Sequence, residues 1–458
     1  MPTIFIECTL TYESALNTGI QRVVRNVVRH AAAVAAEHGY TVCPVRIDGA
    51  RLVKASASVV LRDKLAPART AADAEIDSSA GNRWKLPRSG TALGKSVALG
   101  FLRLLTTVLP FDPVRRFAFS SGFRRRAFRL FSAPLKLVTR KRHAETDSLI
   151  VAAPGDILLL LDASWAIPGP WTAIQRFKRG GGRLAGVVYD LIPLNYPDAC
   201  LPEHVAVFKH WFKKLVCNVD AFLCISKAVA ARLAERLPPD RSNIGYFYLG
   251  SELDFLTRGA EVRPAVKDIF GAERPIFVVV GSIEPRKNCD FVLDAFEQFW
   301  RTGAEGSLVF IGKPAWKSEQ IVRRIHAHAE WGRRLFLLRD ASDTELDYAY
   351  RHAAALVAAS SVEGFGLPVI EAFQRGLPVF CSDIPAFREI AGGKGQFFVL
   401  DDARHLSALL LNYADRPLST DRIPQRWPTW RESTEQLIST MLKILPAGEE
   451  KTRLREQL

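Results

Sequence analysis

Two glutamates flank a short turn that holds two glycines and a proline, in the stretch SVEGFGLPVIE of residues 361–371. The apolar run before this turn predicts a buried strand. Pro368 suits the start of a helix over about 368–375, and Gly376 suits its end. Glu363 would then lie in the loop after the strand, and Glu371 in the first turn of the helix.

This turn can do chemistry with a ligand that carries both a charge and hydroxyl groups. Its glycines let a ligand approach the backbone closely, and the free N–H groups and dipole of the helix favour an anion. Because a carboxylate repels an anion, Glu371 is better suited to accept hydrogen bonds from hydroxyls, such as those of a ribose. Taken alone, the stretch is also compatible with a capped surface helix that carries incidental acids.

Two cations occupy the equivalent place after another apolar strand of the same region. Arg286 and Lys287 lie in the loop SIEPRKN, between the strand PIFVVVG and a predicted helix. Cationic side chains beside a helix N-terminus suit a diphosphate, although solvated surface cations are the alternative. The two loops together predict a site for a nucleoside diphosphate linked to a polyol.

The elements that would position these loops alternate between strands and helices, which indicates α/β layers with parallel sheets. One series occupies residues 1–255 and a second occupies 275–427, joined by a linker of mixed charge over 256–274. An insertion is predicted over about 55–147. We therefore expect two Rossmann-like domains that face a central cleft, with ligands beyond the carboxyl ends of the strands.

The 458-residue chain has a net charge of +14, and most of this excess lies in residues 100–142. Eleven basic residues and one acid occur there, interleaved with phenylalanine and leucine as in FRRRAFRLF. Such a stretch suits an anionic bilayer surface, a solvated basic insertion being the alternative. No nucleic-acid-binding module surrounds it, so a nucleic-acid partner is not expected.

The N-terminus lacks the basic lead of a signal peptide, and no uncharged apolar run reaches the length of a membrane span. None of the seven cysteines forms a CxxC pair, which is typical of reduced thiols in a cytosolic protein. We expect a cytoplasmic protein, with residues 100–142 as a candidate contact to the inner face of the cell membrane.

The spacing of Glu363 and Glu371 within EGFGLPVIEA resembles that of the retaining GT-B glycosyltransferases of family 4. Segments along most of the chain match the family pattern in order, and PTWRESTEQLI is similar to its closing helix, here about 428–445, which returns to the N-terminal domain. The resemblance is greatest to the mannosyl- and rhamnosyltransferases of bacterial surface polysaccharide assembly. The matching segments are VVYDLIPLNYPD, AFLCISKAVAARL, YLGSELD, VVVGSIEPRKN, LVFIGKPAW and SDTELDYAYRHAAALVAASSVEGFGLPVIEA.

The resemblance implies a role for each matching residue. Glu371 would bind the ribose, Glu363 the hydroxyls of the transferred sugar, and Lys287 the diphosphate. Further donor-binding positions lie in the turn before the helix, after the strand PIFVVVG and in a glycine loop near the phosphates: Gly364, Phe365, Gly366, Leu367, Ser282 and Gly19.

Two positions depart from the family pattern. The family's arginine after the strand is replaced by Ser282, so Arg286 would supply that charge from another position. The histidine that often precedes the Asp-Leu pair is replaced by Tyr189, while Asp190 is retained on the acceptor side. Trp165 is a further acceptor-side candidate, with core packing as the alternative.

The resemblance implies a retaining transfer of mannose, or next rhamnose, from a nucleoside-diphosphate sugar, with a GDP-linked donor favoured. The acceptor would be a saccharide, in particular a lipid-linked one. Arg286 and Lys287 would stabilise the charge that grows on the distal phosphate, so neither a metal nor another cofactor is expected. A catalytically inactive nucleotide-sugar sensor or scaffold is the alternative function.

Overall fold

The computed structural model describes residues 1–14, 19–61, 148–239, 241, 243–252, 261–414 and 423–445. The basic stretch 100–142 and residues 62–147 of the predicted insertion lie outside the described residues. The described chain forms two α/β domains, each built on its own sheet. We call residues 1–252 together with the closing helix the first domain, and residues 261–414 the second domain.

The sheet of the first domain has seven strands in the order β3-β2-β1-β4-β5-β6-β7. All neighbouring strands are parallel except β2 and β3, which form a hairpin across a tight turn at Gly49. The strand β4 is buried throughout, as expected for the centre of a parallel sheet covered on both faces. The strands are β1 Thr3–Glu7, β2 Thr41–Asp48, β3 Arg51–Lys54, β4 Ile157–Leu160, β5 Arg183–Val188, β6 Ala221–Cys224 and β7 Ile244–Tyr246.

Helices connect these strands, and most of them bury one apolar stripe against the sheet. In the helix Gly19–Glu37, Val23, Val27 and Val34 are almost fully buried. The helices are α1 Thr9–Glu13, α2 Gly19–Glu37, α3 Ala57–Val60, α4 Trp171–Arg179, α5 Ile192–Asn195, α6 Pro202–Asn218 and α7 Lys227–Ala234. The short helix α3 falls in the range predicted as an insertion, but Val60 is fully buried, so these residues belong to the first domain.

The sheet of the second domain has six parallel strands in the order β10-β9-β8-β11-β12-β13. Successive side chains of β8 point to opposite faces of the sheet. Val278 belongs to the hydrophobic core shared with the first domain, and Phe277 belongs to a second core on the opposite face. The strands are β8 Ile276–Val280, β9 Ser307–Ile311, β10 Leu335–Leu338, β11 Ala355–Ala358, β12 Val379–Ser382 and β13 Gln396–Phe398. The helices are α8 Pro264–Phe270, α9 Cys289–Arg301, α10 Glu319–Ala327, α11 Asp343–His352, α12 Leu367–Phe373, α13 Pro385–Ala391 and α14 Ala403–Ala414.

The predicted linker 256–274 is not a simple linker, because it contains helix α8. Val266 and Phe270, one helical turn apart, are buried on its inner side. Arg263, just before the helix, pairs with Glu345 of α11 at 2.5 Å and with Asp340 at 3.0 Å. Residues 261–274 are therefore part of the second domain.

The closing helix α15, Trp430–Ile444, leaves the second domain and packs against α2 of the first. It begins with a capping box, in which Thr429 and Glu432 satisfy each other's backbone N–H groups. Trp430 is 2% exposed, and its indole donates to the carbonyl of Glu252 at 3.1 Å. No helix within the described ranges is long and apolar enough to cross a membrane.

The close contact between Gly250 and the start of α15 predicts the effect of one substitution. A Cβ at Gly250 would lie 2.6 Å from the backbone nitrogen of Trp430, and backbone cannot move aside as a flexible side chain does. Gly250→Ala should therefore lower the free energy of unfolding by about 1–3 kcal/mol, measured by urea titration. Gly393→Ala is the control, since a Cβ there would meet no atom within 4 Å. Equal stability of the two variants would contradict the contact.

Candidate active site

The two predicted ligand loops lie side by side at the carboxyl edge of the second sheet. The loop of Arg286 and Lys287 follows β8 and the glycine turn follows β11, and these strands pair directly, with Leu356 opposite Val278. The strand order reverses at this pair, which is where open α/β sheets bind their ligands. The positions predicted from the sequence therefore converge on the switch point.

Glu363 is the centre of this convergence. Its Oε2 pairs with Nη1 of Arg286 at 2.7 Å, and its Oε1 accepts from Lys287 Nζ and, at 2.8 Å, from the Ser360 hydroxyl. Burial alone would raise the pKa of this carboxyl, but the charges of Lys287 and Arg286 outweigh it and lower the pKa to about 2. Glu363 is thus a permanent anion held by two cations.

A second carboxylate orients Arg286 from the other side. Glu284 pairs with Nη2 of Arg286 at 2.7 Å, and it accepts hydrogen bonds from the Ser282 hydroxyl at 2.8 Å and from the Trp316 indole at 3.0 Å. Burial lowers the pKa of the guanidinium, but the charges of Glu363 and Glu284 outweigh this and raise it. Arg286 is therefore charged and fixed between two acids, whereas Ser282 contacts an acid instead of supplying a positive charge.

Backbone contacts hold the two loops together. The Ser361 N–H donates to the Arg286 carbonyl at 2.8 Å, and the Asn288 side-chain amide donates to the Ala359 carbonyl at 2.8 Å. Asn288 adopts a left-handed conformation with φ +50°, which asparagine tolerates better than most residues, and helix α9 begins at the next residue. The cations therefore precede a helix N-terminus, as predicted.

The glycine turn contacts the first domain. A Cβ at Gly364 would lie 2.2 Å from the carbonyl oxygen of Tyr189, so only glycine fits there. The Gly364 carbonyl accepts from the Ser226 hydroxyl at 2.8 Å, and the Phe365 ring is buried. Gly366 has φ +123° and precedes helix α12, whose first residue is Leu367. The contacts of a bound sugar with this turn stay a prediction.

Helix α12 runs from Leu367 to Phe373 instead of 368–375, so Glu371 lies in its second turn and not in its first. The helix is ended by Gly376, with φ +62°, as predicted. Glu371 is 2% exposed and accepts from the Tyr350 hydroxyl at 2.8 Å and from Nη1 of Arg22 at 2.7 Å. Its ribose-binding role stays a prediction.

Gly19 was expected in a turn, but it is the first residue of helix α2. It is exposed, and the two residues before it, Asn17 and Thr18, lie outside the described ranges. The helix that it begins carries Arg22 to Glu371 of the second domain. The predicted phosphate role of Gly19 is not tested by these contacts.

The predicted acceptor-side residues lie at different depths. Asp190 lies beside the glycine turn, where a Cβ at Gly364 would be 3.2 Å from the Asp190 Cβ. Burial raises the pKa of the Asp190 carboxyl, although the charge of Arg286 opposes this shift. The Tyr189 hydroxyl instead donates to the Leu161 carbonyl at 2.7 Å within the core. Trp165 packs edge-on against Phe208 and Trp211, with ring centroids 5.5 and 5.3 Å apart. Both aromatic side chains thus contact the core, Trp165 being only partly buried, and their acceptor-side roles stay predictions.

A small cavity lies between the two loops, with Ser282, Lys287, Glu363 and Gly366 in its lining. Its volume of about 20 Å³ is close to the minimum for one water molecule. This space is too small for a phosphate or a sugar. Within the described residues, no three histidine, cysteine or acidic side chains converge as metal ligands.

Sequence reasoning missed three side chains that organise the site: Glu284, Tyr350 and Arg22. Glu284 lies two residues before Arg286 in the predicted loop, so its place in the sequence could have indicated that it contacts Arg286. Tyr350 and Arg22 lie 21 and 349 residues from Glu371, and nothing local in the sequence links them to it.

The comparisons with known proteins agree with this geometry. Residues 265–415 match the family model described as Glycosyl transferases group 1. The chain is 31% identical over 321 residues to the serotype-specific mannosyltransferase WbdA of Escherichia coli, an alignment that covers 66% of this chain and 39% of WbdA. It is 30% identical over 237 residues to the O-antigen chain mannosyltransferase B of Escherichia coli, covering 49% of this chain and 60% of that protein.

The chain thus spans less than two thirds of the length of these relatives. Among solved structures, Anabaena HepE in complex with UDP and glucose superposes with a TM-score of 0.51 at 10% identity, covering 100% of both chains. That likeness concerns the fold alone. Two α/β domains of this arrangement, each on a largely parallel sheet, confirm the predicted GT-B fold.

Proposed function

We propose that this protein is a retaining, metal-independent glycosyltransferase of family 4 that transfers mannose from a nucleoside-diphosphate donor to a saccharide acceptor. The observation that carries the proposal is the convergence of Arg286, Lys287 and Glu363 at the switch point of a glycosyl transferases group 1 domain. The names of the relatives, a serotype-specific mannosyltransferase and an O-antigen chain mannosyltransferase, favour mannose and a role in surface polysaccharide assembly, with rhamnose as the second choice. The preference for a GDP-linked donor rests on the resemblance of the sequence alone. A lipid-linked acceptor is part of the same proposal.

The charges of the site fit such a donor. Arg286 and Lys287 supply two positive charges at the edge of the sheet, and the diphosphate would bind between them and the N-terminus of α9. Glu363 would exchange part of its contact with the cations for the hydroxyls of the transferred sugar. Glu371, on α12, would accept from the ribose hydroxyls.

The transfer step requires stabilisation of the departing phosphate. The bond from the anomeric carbon to the phosphate oxygen breaks while a bond to the acceptor oxygen forms on the same face of the sugar. The phosphate takes the electron pair of the broken bond and then the proton of the acceptor hydroxyl. Arg286 and Lys287 stabilise the charge as it grows, which lowers the barrier in proportion to how much more strongly they bind the transition state.

The state of Glu363 argues against this residue as the proton donor of a glycoside hydrolase. A hydrolase needs one carboxylic acid with a raised pKa as proton donor. The pKa of Glu363 is instead lowered to about 2 by its two cations, so at neutral pH it has no proton to donate. Glu363 and Glu371 also bond to different side chains, Lys287 and Tyr350 respectively. The two catalytic carboxyls of a hydrolase would instead face the same glycosidic bond.

The proposal is tested by turnover of a panel of nucleotide sugars, including GDP-mannose, GDP- and dTDP-rhamnose and UDP-sugars, with an extract of lipid-linked acceptors. We expect nucleoside diphosphate release from one donor. Lys287→Ala should lower kcat by roughly 100-fold, because loss of one charge-stabilising donor costs about 3 kcal/mol of barrier. Lys267→Ala, on an exposed face of α8, is the control. Binding of a donor without its turnover in the presence of any acceptor would favour a sensor or scaffold.

The lowered pKa of Glu363 predicts a pH dependence of stability. A depressed pKa contributes stability that is present above the unfolded value, 4.5, and is lost as the pH falls towards about 2. Between about pH 5 and about pH 3, the free energy of unfolding should therefore fall more steeply for the wild type than for Glu363→Gln. Urea titrations at several pH values measure this slope, with the exposed Glu435→Gln as control. Equal slopes for wild type and Glu363→Gln would contradict the ion pairs.

We also propose, from the sequence of residues 100–142, that the protein binds an anionic bilayer surface. Replacing Arg124, Arg125 and Arg126 with Ser should weaken binding to anionic liposomes by roughly tenfold or more, since each basic residue near such a surface contributes about 1 kcal/mol. The charge-matched control replaces Arg404, Arg426 and Arg431, which are 80%, 88% and 51% exposed. Equal loss in both triple variants would mean a non-specific charge effect and would contradict the assignment.

A further inference from the structure

We propose that Arg22 is a positioning residue for the donor: it reaches from the first domain to Glu371 and orients this carboxylate only when the two domains are in contact. The inference rests on the proposed function, in which Glu371 binds the ribose of the donor. It assigns to the first domain a direct part in forming the donor site of the second domain.

The geometry of Arg22 is that of a buried bridge between domains. Its Nη1 lies 2.7 Å from Oε1 of Glu371, and its Nη2 lies 3.5 Å from Asp343 at the start of α11. The side chains of Arg22 and Glu371 are 12% and 3% exposed. A charged hydrogen bond with so little solvent is much stronger than an exposed ion pair.

The partners of Glu371 come from both domains. Tyr350 of α11 donates to Oε2 at 2.8 Å, while Arg22 of α2 donates to Oε1. An ionised carboxylate can accept about four hydrogen bonds, so these two bonds leave capacity on each oxygen for a ribose hydroxyl. Arg22 therefore need not compete with the donor. It fixes the rotation of the carboxylate, and its charge compensates that of a buried anion.

The loop and helix that would hold the donor are attached to the first domain at both ends. At the start of this segment, Gly364 lies against the Tyr189 carbonyl and accepts from Ser226. Seven residues later, Glu371 is held by Arg22. Separation of the domains would break both attachments. Among the described residues, Glu371 would then keep its bond from Tyr350. Donor affinity should therefore depend on the contact between the domains.

The test is a double-mutant cycle on the full chain with Arg22→Ala, Glu371→Ala and the double variant, in which donor KM, kcat and the Kd of the nucleotide sugar are measured. We expect Arg22→Ala to raise KM and Kd by roughly tenfold or more, as for loss of a charge-assisted hydrogen bond, with a smaller effect on kcat. Arg22→Lys should restore part of the affinity. The double variant should bind no more weakly than Glu371→Ala.

The matched control is Arg431→Ala, which removes an exposed bridge of 2.9 Å from α15 to Glu37 at the other end of the same helix α2. Its Kd should equal that of the wild type. Thermal unfolding of every variant separates loss of fold from loss of affinity, and Arg22→Lys provides a readout if Arg22→Ala does not fold.

The possible outcomes distinguish the inference from the function on which it rests. Wild-type affinity in Arg22→Ala, together with weakened binding in Glu371→Ala, would overturn the inference and leave the proposed function intact. Effects that multiply in the double variant would likewise overturn it, because Arg22 would then act independently of Glu371. If the wild type binds no nucleotide sugar, the proposed function is wrong and the inference fails with it.

Discussion

The structure of the site depends on the need to compensate one buried carboxylate. Glu363 is 11% exposed in its side chain, and an anion in that position is stable only with cations or several donors around it. Both cations come from the neighbouring loop, so Glu363 holds together the ends of β8 and β11. The bonds from Ser361 to Arg286 and from Asn288 to Ala359 follow from the same proximity. The need to compensate the charge of Glu363 thus holds the two loops side by side.

Besides the apolar core that the two domains share, local polar contacts connect them. Glu389 of α13 accepts from the backbone N–H groups of Lys227 and Ala228, at 2.7 and 2.8 Å, and so caps helix α7 of the first domain. Gly364 permits the Tyr189 carbonyl to approach, and Arg22 reaches Glu371. The hydrogen bonds among these contacts can be exchanged for water, so on the proposed function they would allow the domains to move relative to one another.

The sequence predicted what depends on local pattern and missed what depends on tertiary contact. Apolar strands that end in glycine turns located Glu363, Arg286 and Lys287 because strand ends converge at one edge of a parallel sheet. Helix α8 was missed because charged residues surround Val266 and Phe270, the two buried positions that reveal its periodicity. The bond of Arg22 to Glu371 could not be predicted, since it joins residues 349 apart in different domains.

The arrangement around Glu363 also explains how one site can hold cations without a permanent excess of positive charge. In the structure, Glu363 and Glu284 together balance Arg286 and Lys287. On the proposed function, a diphosphate adds negative charge beside the same cations, and Glu363 would then repel it unless its oxygens found other donors. The hydroxyls of the attached sugar are such donors. This exchange of partners by Glu363 therefore favours a ligand that carries both the phosphate and the sugar. A transferase with such a site would bind its intact donor in preference to the nucleoside diphosphate product.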